Sequence, residues 1–458
     1  MTRAAAYVRG DAGTREAPQR ANVAPAFTTA VGKAESTVER ASHSSLRLLL
    51  FCDTESEVKH ALREFARSAI KKVRRVVGPP PVSAPVPLPN RKLFAHDPIA
   101  GHTATLQLRS VGAARPSNQV AERLIRAYHR SSEHTPPPPS SAGEDLWTRI
   151  VNVEFADLLK ILAARDASGL AEFLFRFGEK STWFGCLNFA IDGYTDPSSS
   201  AADVALLYYD KLVCLGEAVG ILQFENPEQG QFRNLQRDLK QIVSELETTL
   251  GITIAPPAGA LQMAGLEIGS GGVLHYRHIN ALYVAWYISS LVNRTTPLCE
   301  YGGGVGAVAY YARRFGFSDY TLFDLPLTNL FSANFLIHAL GADAVSLDGE
   351  EAAAATVKIL PHWKCTEVPD KCFGLSLNQD SFPEVDSAIV GQFVNQIART
   401  TREYFLSINQ EAEAKMTPTR RQLNVSKLLG ADPAFRRLHR SRYWIREGYV
   451  EELYRIVA

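Results

Sequence analysis

Cysteine is scarce in this chain and unpatterned. The six in 458 residues, Cys52, Cys186, Cys214, Cys299, Cys365 and Cys372, include no C-x-x-C pair. That argues against a disulfide framework and fits reduced, mostly buried thiols in a cytoplasmic protein. No His/Cys group has the spacing of a zinc motif. An excess of charge is also missing: 49 Lys and Arg face 48 Asp and Glu, a net of +1, so no overall field draws nucleic acid or an anionic membrane. No apolar run approaches the roughly 18 to 20 residues of a membrane span. The apolar stretch Leu48 to Phe51 is too short and too far along to be the core of a secretory signal. No Gly-x-x-x-x-Gly-Lys-Ser/Thr run exists, which excludes a phosphate-cradling ATPase loop.

What is present changes in texture along the chain, and the length allows two domains by the usual prior of roughly 100 to 200 residues each. Residues 1–145 read as a largely disordered extension. Within it, 58–77 carries helix-spaced apolar residues with Arg and Lys on its other faces, and 79–89 and 136–141 are proline-rich spacers. A short helix is expected near 120–129. Residues 146–290 read as a helical domain, with helices expected at 155–164, 170–177 and 204–222. Leu235, Leu239, Ile242, Leu246 and Leu250 form one apolar stripe for a core or a homodimer contact. From 291 to 458 the pattern alternates. Strands are expected at 298–301, 320–324, 357–360, 373–377 and 404–408, with helices at 306–315, 327–340 and 389–400. That alternation implies an α/β parallel sheet with right-handed crossovers and ligands at the carboxyl ends of its strands.

The most informative segment is Leu-Cys-Glu-Tyr-Gly-Gly-Gly-Val-Gly from Leu298, continuing to Asp324. Gly302, Gly303, Gly304 and Gly306 can take positive φ and let a ligand touch the backbone at a helix N-terminus. Asp324 then ends the next strand, where a carboxylate accepts two hydrogen bonds from a ribose diol. Gly302, Gly304 and Ala307 also satisfy the dinucleotide pattern G-x-G-x-x-G/A. Glu300 discriminates: an acid two residues before the first glycine would crowd a pyrophosphate but suits the cationic amino-acid end of S-adenosylmethionine.

These residues resemble motif I and the second strand of class I S-adenosylmethionine-dependent methyltransferases. More narrowly, Glu300 to Gly306, Tyr320 to Leu327, Asn378 to Glu384 and Tyr404 to Asn409 resemble the sugar O-methyltransferases, as does the closing segment Arg442 to Tyr454. The likeness spans residues 146–458, and Gln379-Asp380 departs from the small polar or amide residues expected there. It implies a Rossmann-like class I methyltransferase sheet behind a helical domain that covers the acceptor or builds a dimer. The implied reaction is methyl transfer to a hydroxyl of a sugar or sugar-containing metabolite. A nicotinamide-dependent oxidoreductase and a catalytically inactive methyltransferase-like binding subunit are the alternatives.

Methyl transfer to an alcohol needs alignment and removal of a proton. Cofactor contacts are expected from Glu300, the four glycines, Asp324, the Leu325 backbone, the Trp363 ring against adenine, and Asn378 as a positioning group. Asp380 and Glu384 are candidate bases, or carboxylates for a magnesium ion. His278, and His275 beside it, stand where an acceptor wall would come from and are candidate bases with the right pKa near neutrality, in a loop where a histidine is more often simply exposed. His338 reads as a satisfied core histidine. The tail arginines Arg436, Arg437, Arg440, Arg442 and Arg446 read as surface partners of Glu447, Glu451 and Glu452, or as contacts for an acceptor phosphate.

Overall fold

A computed structural model describes residues 94–96, 106–136, 146–177, 201–226, 228, 233–269, 271–351, 354–417 and 420–457. The leading segment, the basic helix expected at 58–77, the spacer 79–89 and most of the spacer 136–141 lie outside those residues. All described residues belong to one unit, Leu88–Ala458.

The first elements form a small sheet and a helical layer. Strand β1 (Leu108–Val111) lies antiparallel on β2 (Met263–Gly269), which pairs with β3 (Gly272–Leu274). Between β1 and β2 run helices α1 (Asn118–Glu133), α2 (Leu146–Glu154), α3 (Ala156–Ala163), α4 (Ala167–Arg176), α5 (Ala201–Ala218) and α6 (Leu239–Leu250). The Ser117 hydroxyl starts α1 by accepting the Val120 N–H at 3.2 Å. Residues 106–133, which the sequence pattern leaves in the extension, thus supply a strand and a helix. The expected apolar stripe is divided, because Asp238 caps α6 by accepting the Gln241 N–H at 2.9 Å and leaves Leu235 in a preceding 3₁₀ turn. Ile242 and Leu246 of that stripe, and Val243 beside them, are buried in the chain's own core.

The second half builds an eight-stranded sheet in the order β12-β13-β9-β8-β4-β5-β7-β6. Helix α7 (Tyr276–Leu291) leads into β4 (Leu298–Tyr301), α8 (Ala307–Arg314), β5 (Tyr320–Asp324), α9 (Pro326–Leu340), β6 (Val345–Leu347) and β7 (Val357–Pro361). β8 (Phe373–Gln379), α10 (Ser387–Thr400) and β9 (Thr401–Gln410) follow. After a small hairpin, β10 (Lys415–Thr417) and β11 (Arg420–Arg421), and helix α11 (Val425–Gly430), the chain closes with β12 (Phe435–Arg442) and β13 (Tyr449–Ile456). Strands β6, β7, β5, β4, β8 and β9 are parallel, while β13 runs antiparallel to both β9 and β12. This is the expected α/β architecture. β6, β12 and β13 were not anticipated. β12 reads Phe-Arg-Arg-Leu-His-Arg-Ser-Arg and is an exposed edge whose charges guard it against pairing with another chain. In β13 the buried Glu451 and Glu452 interrupt the apolar signal.

α1 is tied to the sheet's other edge. The Arg123 guanidinium donates to both Glu350 oxygens at 2.7 Å and to the Val345 carbonyl at 2.6 Å, and the Ser131 hydroxyl donates to Asp348 at 3.1 Å. Among the described residues no helix is long and apolar enough to cross a membrane.

Candidate functional site

From β4 the chain moves outward to β5 and to the edge strand β6, steps back to β7 between them, then crosses to the far side of β4 for β8 and β9. The loops leaving β4 and β8 therefore diverge, which opens a crevice at their carboxyl ends. A cavity of about 890 Å³ occupies that place.

The glycine turn forms its floor. Gly302, Gly304 and Gly306 have φ of 73°, 58° and 81°, in the region that favours glycine. The Gly302 N–H donates to the Phe323 carbonyl at 2.8 Å, pinning the turn to the end of β5. A Cβ at Gly303 would meet Leu322 Cδ1 at 2.6 Å and Glu300 Oε2 at 2.9 Å, so the bare backbone is what keeps the cradle open.

Two acids flank the turn. Glu300 is 2% exposed, accepts a hydrogen bond from the Tyr320 hydroxyl at 2.6 Å, and is pushed up to about 7 chiefly by burial, with the Asp324 charge adding. Asp324 is likewise raised to about 7 by burial, against hydrogen bonds from backbone N–H groups. Gly304 N–H reaches its Oδ2 at 3.0 Å and Leu325 N–H its Oδ1 at 2.7 Å. Trp363 lies in a 3₁₀ turn after β7 and lines the cavity; its Nε1 has no hydrogen-bond partner among the described residues, and the Lys364 ammonium sits 5.1 Å from its ring centre. Leu325 lines the same wall.

Asn378 is placed differently. It is fully buried, donates to the Tyr301 carbonyl at 2.9 Å and the Ser381 hydroxyl at 2.6 Å, and accepts from Asn409 at 3.0 Å. Its amide ties the ends of β4, β8 and β9 together behind the cavity wall.

The opposite wall gathers residues from distant segments. Asp380, at the unusual φ of 58°, accepts from the Arg446 guanidinium and the Tyr449 hydroxyl, with Arg277 Nη1 at 3.9 Å. Burial raises Asp380, and the Arg277 charge opposes that. Glu384, hydrogen-bonded to Trp147, is pushed up to about 8 by burial and by the Asp380 charge. Gln379 donates to Asn280 at 2.8 Å. His278 is fully buried rather than exposed. Its Nδ1 lies 3.3 Å from the Tyr311 hydroxyl, its Nε2 has no partner among the described residues, and burial lowers it to about 3, so the ring is neutral. His275 is equally buried and caps α7, its Nδ1 accepting the Arg277 N–H at 3.1 Å.

Two expectations are corrected. His338 is not in the core: it is an exposed residue of α9 whose Nε2 lies 3.2 Å from the Ala258 carbonyl. Arg446 does not pair with nearby glutamates, as Arg442 does with Glu447 and as Arg437 and Arg440 do with the buried Glu452. It is drawn inward to Asp380 and its guanidinium lies 4.1 Å from the Tyr449 ring centre. Sequence reasoning missed Arg277, Tyr449, Trp147 and Asn280. Their separation from Asp380 hides them, and a buried-type acid beside Ser381-Phe382 is the only hint that a cation must meet it.

The donor set does not fit magnesium. That ion needs near-octahedral oxygen ligands, whereas Asp380 is engaged by a guanidinium and a phenol and Glu384 is held toward its protonated form. The glycine cradle with its two acids does fit an adenosyl ligand carrying a cationic amino-acid end.

No family model matches the sequence, and no curated protein matches it. Solved structures show similarity. One is the 1,6-didemethyltoxoflavin-N1-methyltransferase of Burkholderia thailandensis, with 17% identity over 39% of this chain and 79% of that one, at a TM-score of 0.28. Another is the PH0226 protein of Pyrococcus horikoshii OT3, with 11% identity over 40% and 90%, at 0.31. A third is the glycopeptide N-methyltransferase MtfA complexed with sinefungin, with 14% identity over 39% and 94%, at 0.30.

Proposed function

We propose that this chain is an S-adenosylmethionine-dependent methyltransferase whose acceptor is a hydroxyl of a sugar or sugar-containing small molecule. The observation that carries it is the pair of acids, Glu300 and Asp324, on either side of a positive-φ glycine turn at the sheet's switch point. A diol suits Asp324, a flat base suits the Trp363 ring, and a cationic amino-acid end suits Glu300. The sugar assignment rests on the likeness of the segments after β8 and at the tail, and on the polar wall of Gln379, Asp380, Glu384 and Arg446, which can hydrogen-bond a polyol.

S-adenosylmethionine would supply an electrophilic methyl group. The protein's part is to bind, orient and take a proton. Glu384, with a pKa near 8, is the base: it is basic enough to accept a proton from an activated hydroxyl and ionised enough near neutrality to do so. Asp380, held by the Tyr449 hydroxyl, positions Arg446 along the acceptor wall. Neutral His278 offers Nε2 as a hydrogen-bonding group on the same cavity.

Calorimetry with S-adenosylmethionine, S-adenosylhomocysteine and NAD tests this reading. Both adenosyl-sulfur compounds should bind, and Asp324→Ala should weaken them at least about tenfold through the lost ribose hydrogen bonds. Binding of NAD alone would overturn the assignment in favour of an oxidoreductase. Absence of all binding would favour a non-catalytic subunit.

A further inference from the structure

A second cluster with the chemistry of a binding site lies on α5. Asp210, Cys214 and Glu217 recur at spacings of four and three on that helix and so share one face. His96 is brought to that face from more than a hundred residues earlier in the chain. Its Nδ1 lies 2.8 Å from Asp210 Oδ1 and its Nε2 2.9 Å from Glu217 Oε1. One donor atom each from His96, Cys214 and Glu217 lie within 4.8 Å of one another. Cys214 and Glu217 are buried.

We propose that His96, Cys214 and Glu217 bind a zinc ion, with Asp210 orienting the imidazole. The donors are an imidazole, a thiolate and a carboxylate, the mixed nitrogen, sulfur and oxygen set that zinc accepts and that magnesium or calcium does not. The surroundings are built as such sites are. Asp210 holds the far ring nitrogen, leaving Nε2 for the metal, and is itself fixed by the Ala95 and His96 backbone N–H groups at 3.0 and 3.1 Å and by Lys211 at 3.0 Å. Glu217 is oriented by the Asn234 amide at 2.8 Å.

Charge balance permits the ion. Both ring nitrogens of His96 face a carboxylate oxygen, so the metal-free ring donates from each, and an ordinary cysteine carries its proton near neutrality. A zinc ion would displace one proton from Nε2 and one from the thiol. Two positive charges replace two, so the group's balance with Asp210, Lys211 and Glu217 is unchanged while two ligand bonds and the carboxylate bond form. Bound zinc would clamp residues 94–96 onto α5.

The test uses the full chain purified under reducing conditions. Elemental analysis should give about one zinc per chain. Cobalt substitution should give a near-ultraviolet thiolate-to-cobalt band, absent in Cys214→Ser. Calorimetry in buffers of differing ionisation enthalpy should show about two protons released per zinc at neutral pH. The cobalt spectrum and proton count need only the native protein, so misfolding of a variant does not blunt the test. Native protein that retains no zinc after exposure to it and gives no thiolate band would overturn the proposal and leave a buried ion-pair network. Because none of these readouts involves S-adenosylmethionine, the outcome is independent of the proposed methyl transfer.

Discussion

At the scale of single residues, the sequence identified the acids, and their neighbours gave those acids their properties. Glu384 was visible as part of a polar cluster after the fourth strand, but its pKa near 8 comes from burial and from Asp380 nearby. A base raised in this way must lose its proton to act, so kcat/KM should climb with pH up to about 8. Glu384→Gln keeps the side chain's shape and should lower kcat by about 10²- to 10⁴-fold, removing that climb while leaving S-adenosylhomocysteine affinity unchanged. Persistence of the climb in the variant would assign the proton to another group. Arg446 shows the limit of reading residues along a chain: its partner Asp380 lies 66 positions earlier. Adjacent glutamates made an exposed pairing look sufficient.

At the scale of elements, the parallel strands other than β6 were legible with their helices, because they carry apolar runs at strand or helix period bounded by glycine, proline or polar residues. The turn after β4 couples two such elements. Gly302 has φ of 73°, and a Cβ there would also strike the Ser381 side chain that follows β8. Gly316 has φ of 93°, but a Cβ there would meet nothing among the described residues within 4 Å. Gly302→Ala should therefore cost about 1 to 3 kcal/mol in denaturant unfolding and weaken cofactor binding. Gly316→Ala should show only the smaller backbone penalty. Equal losses in the two variants would mean that the contact with Ser381 is relieved freely. The tail hairpin escaped notice for a different reason. β12 is an edge strand rich in arginine and β13 buries two glutamates, so neither shows the alternation by which a half-buried strand is recognised.

At the scale of the whole molecule, several carboxyls share one environment. Glu300, Asp324 and Glu451 are raised to about 7 and Glu384 to about 8, burial being the largest cause for each. Groups with raised folded-state pKa values stabilise the fold fully below their unfolded values, about 3.9 to 4.3, and lose that contribution as pH rises through 7 to 8. His275 and His278 work the other way below about 6.5, since unfolding lets them take up protons. Above about pH 6.5 only the loss remains, and in metal-free protein His96 adds to it. The melting temperature of the ligand-free, metal-free chain should therefore fall between about pH 6.5 and 9. A flat or rising profile would show that these carboxyls ionise in the fold without cost.

By itself the sequence determined the alternating sheet, the glycine turn and the two acids beside it, because helix and strand periods, glycine spacing and strand ends are local properties. Tertiary structure alone decided that Asn378 ties three strands together and that Arg446 and Tyr449 hold Asp380. It also decided that residues 106–133 belong with the fold and that His96 meets Cys214 and Glu217. Each of these is a contact between residues far apart in the chain, made by packing and hydrogen bonding that no local pattern encodes.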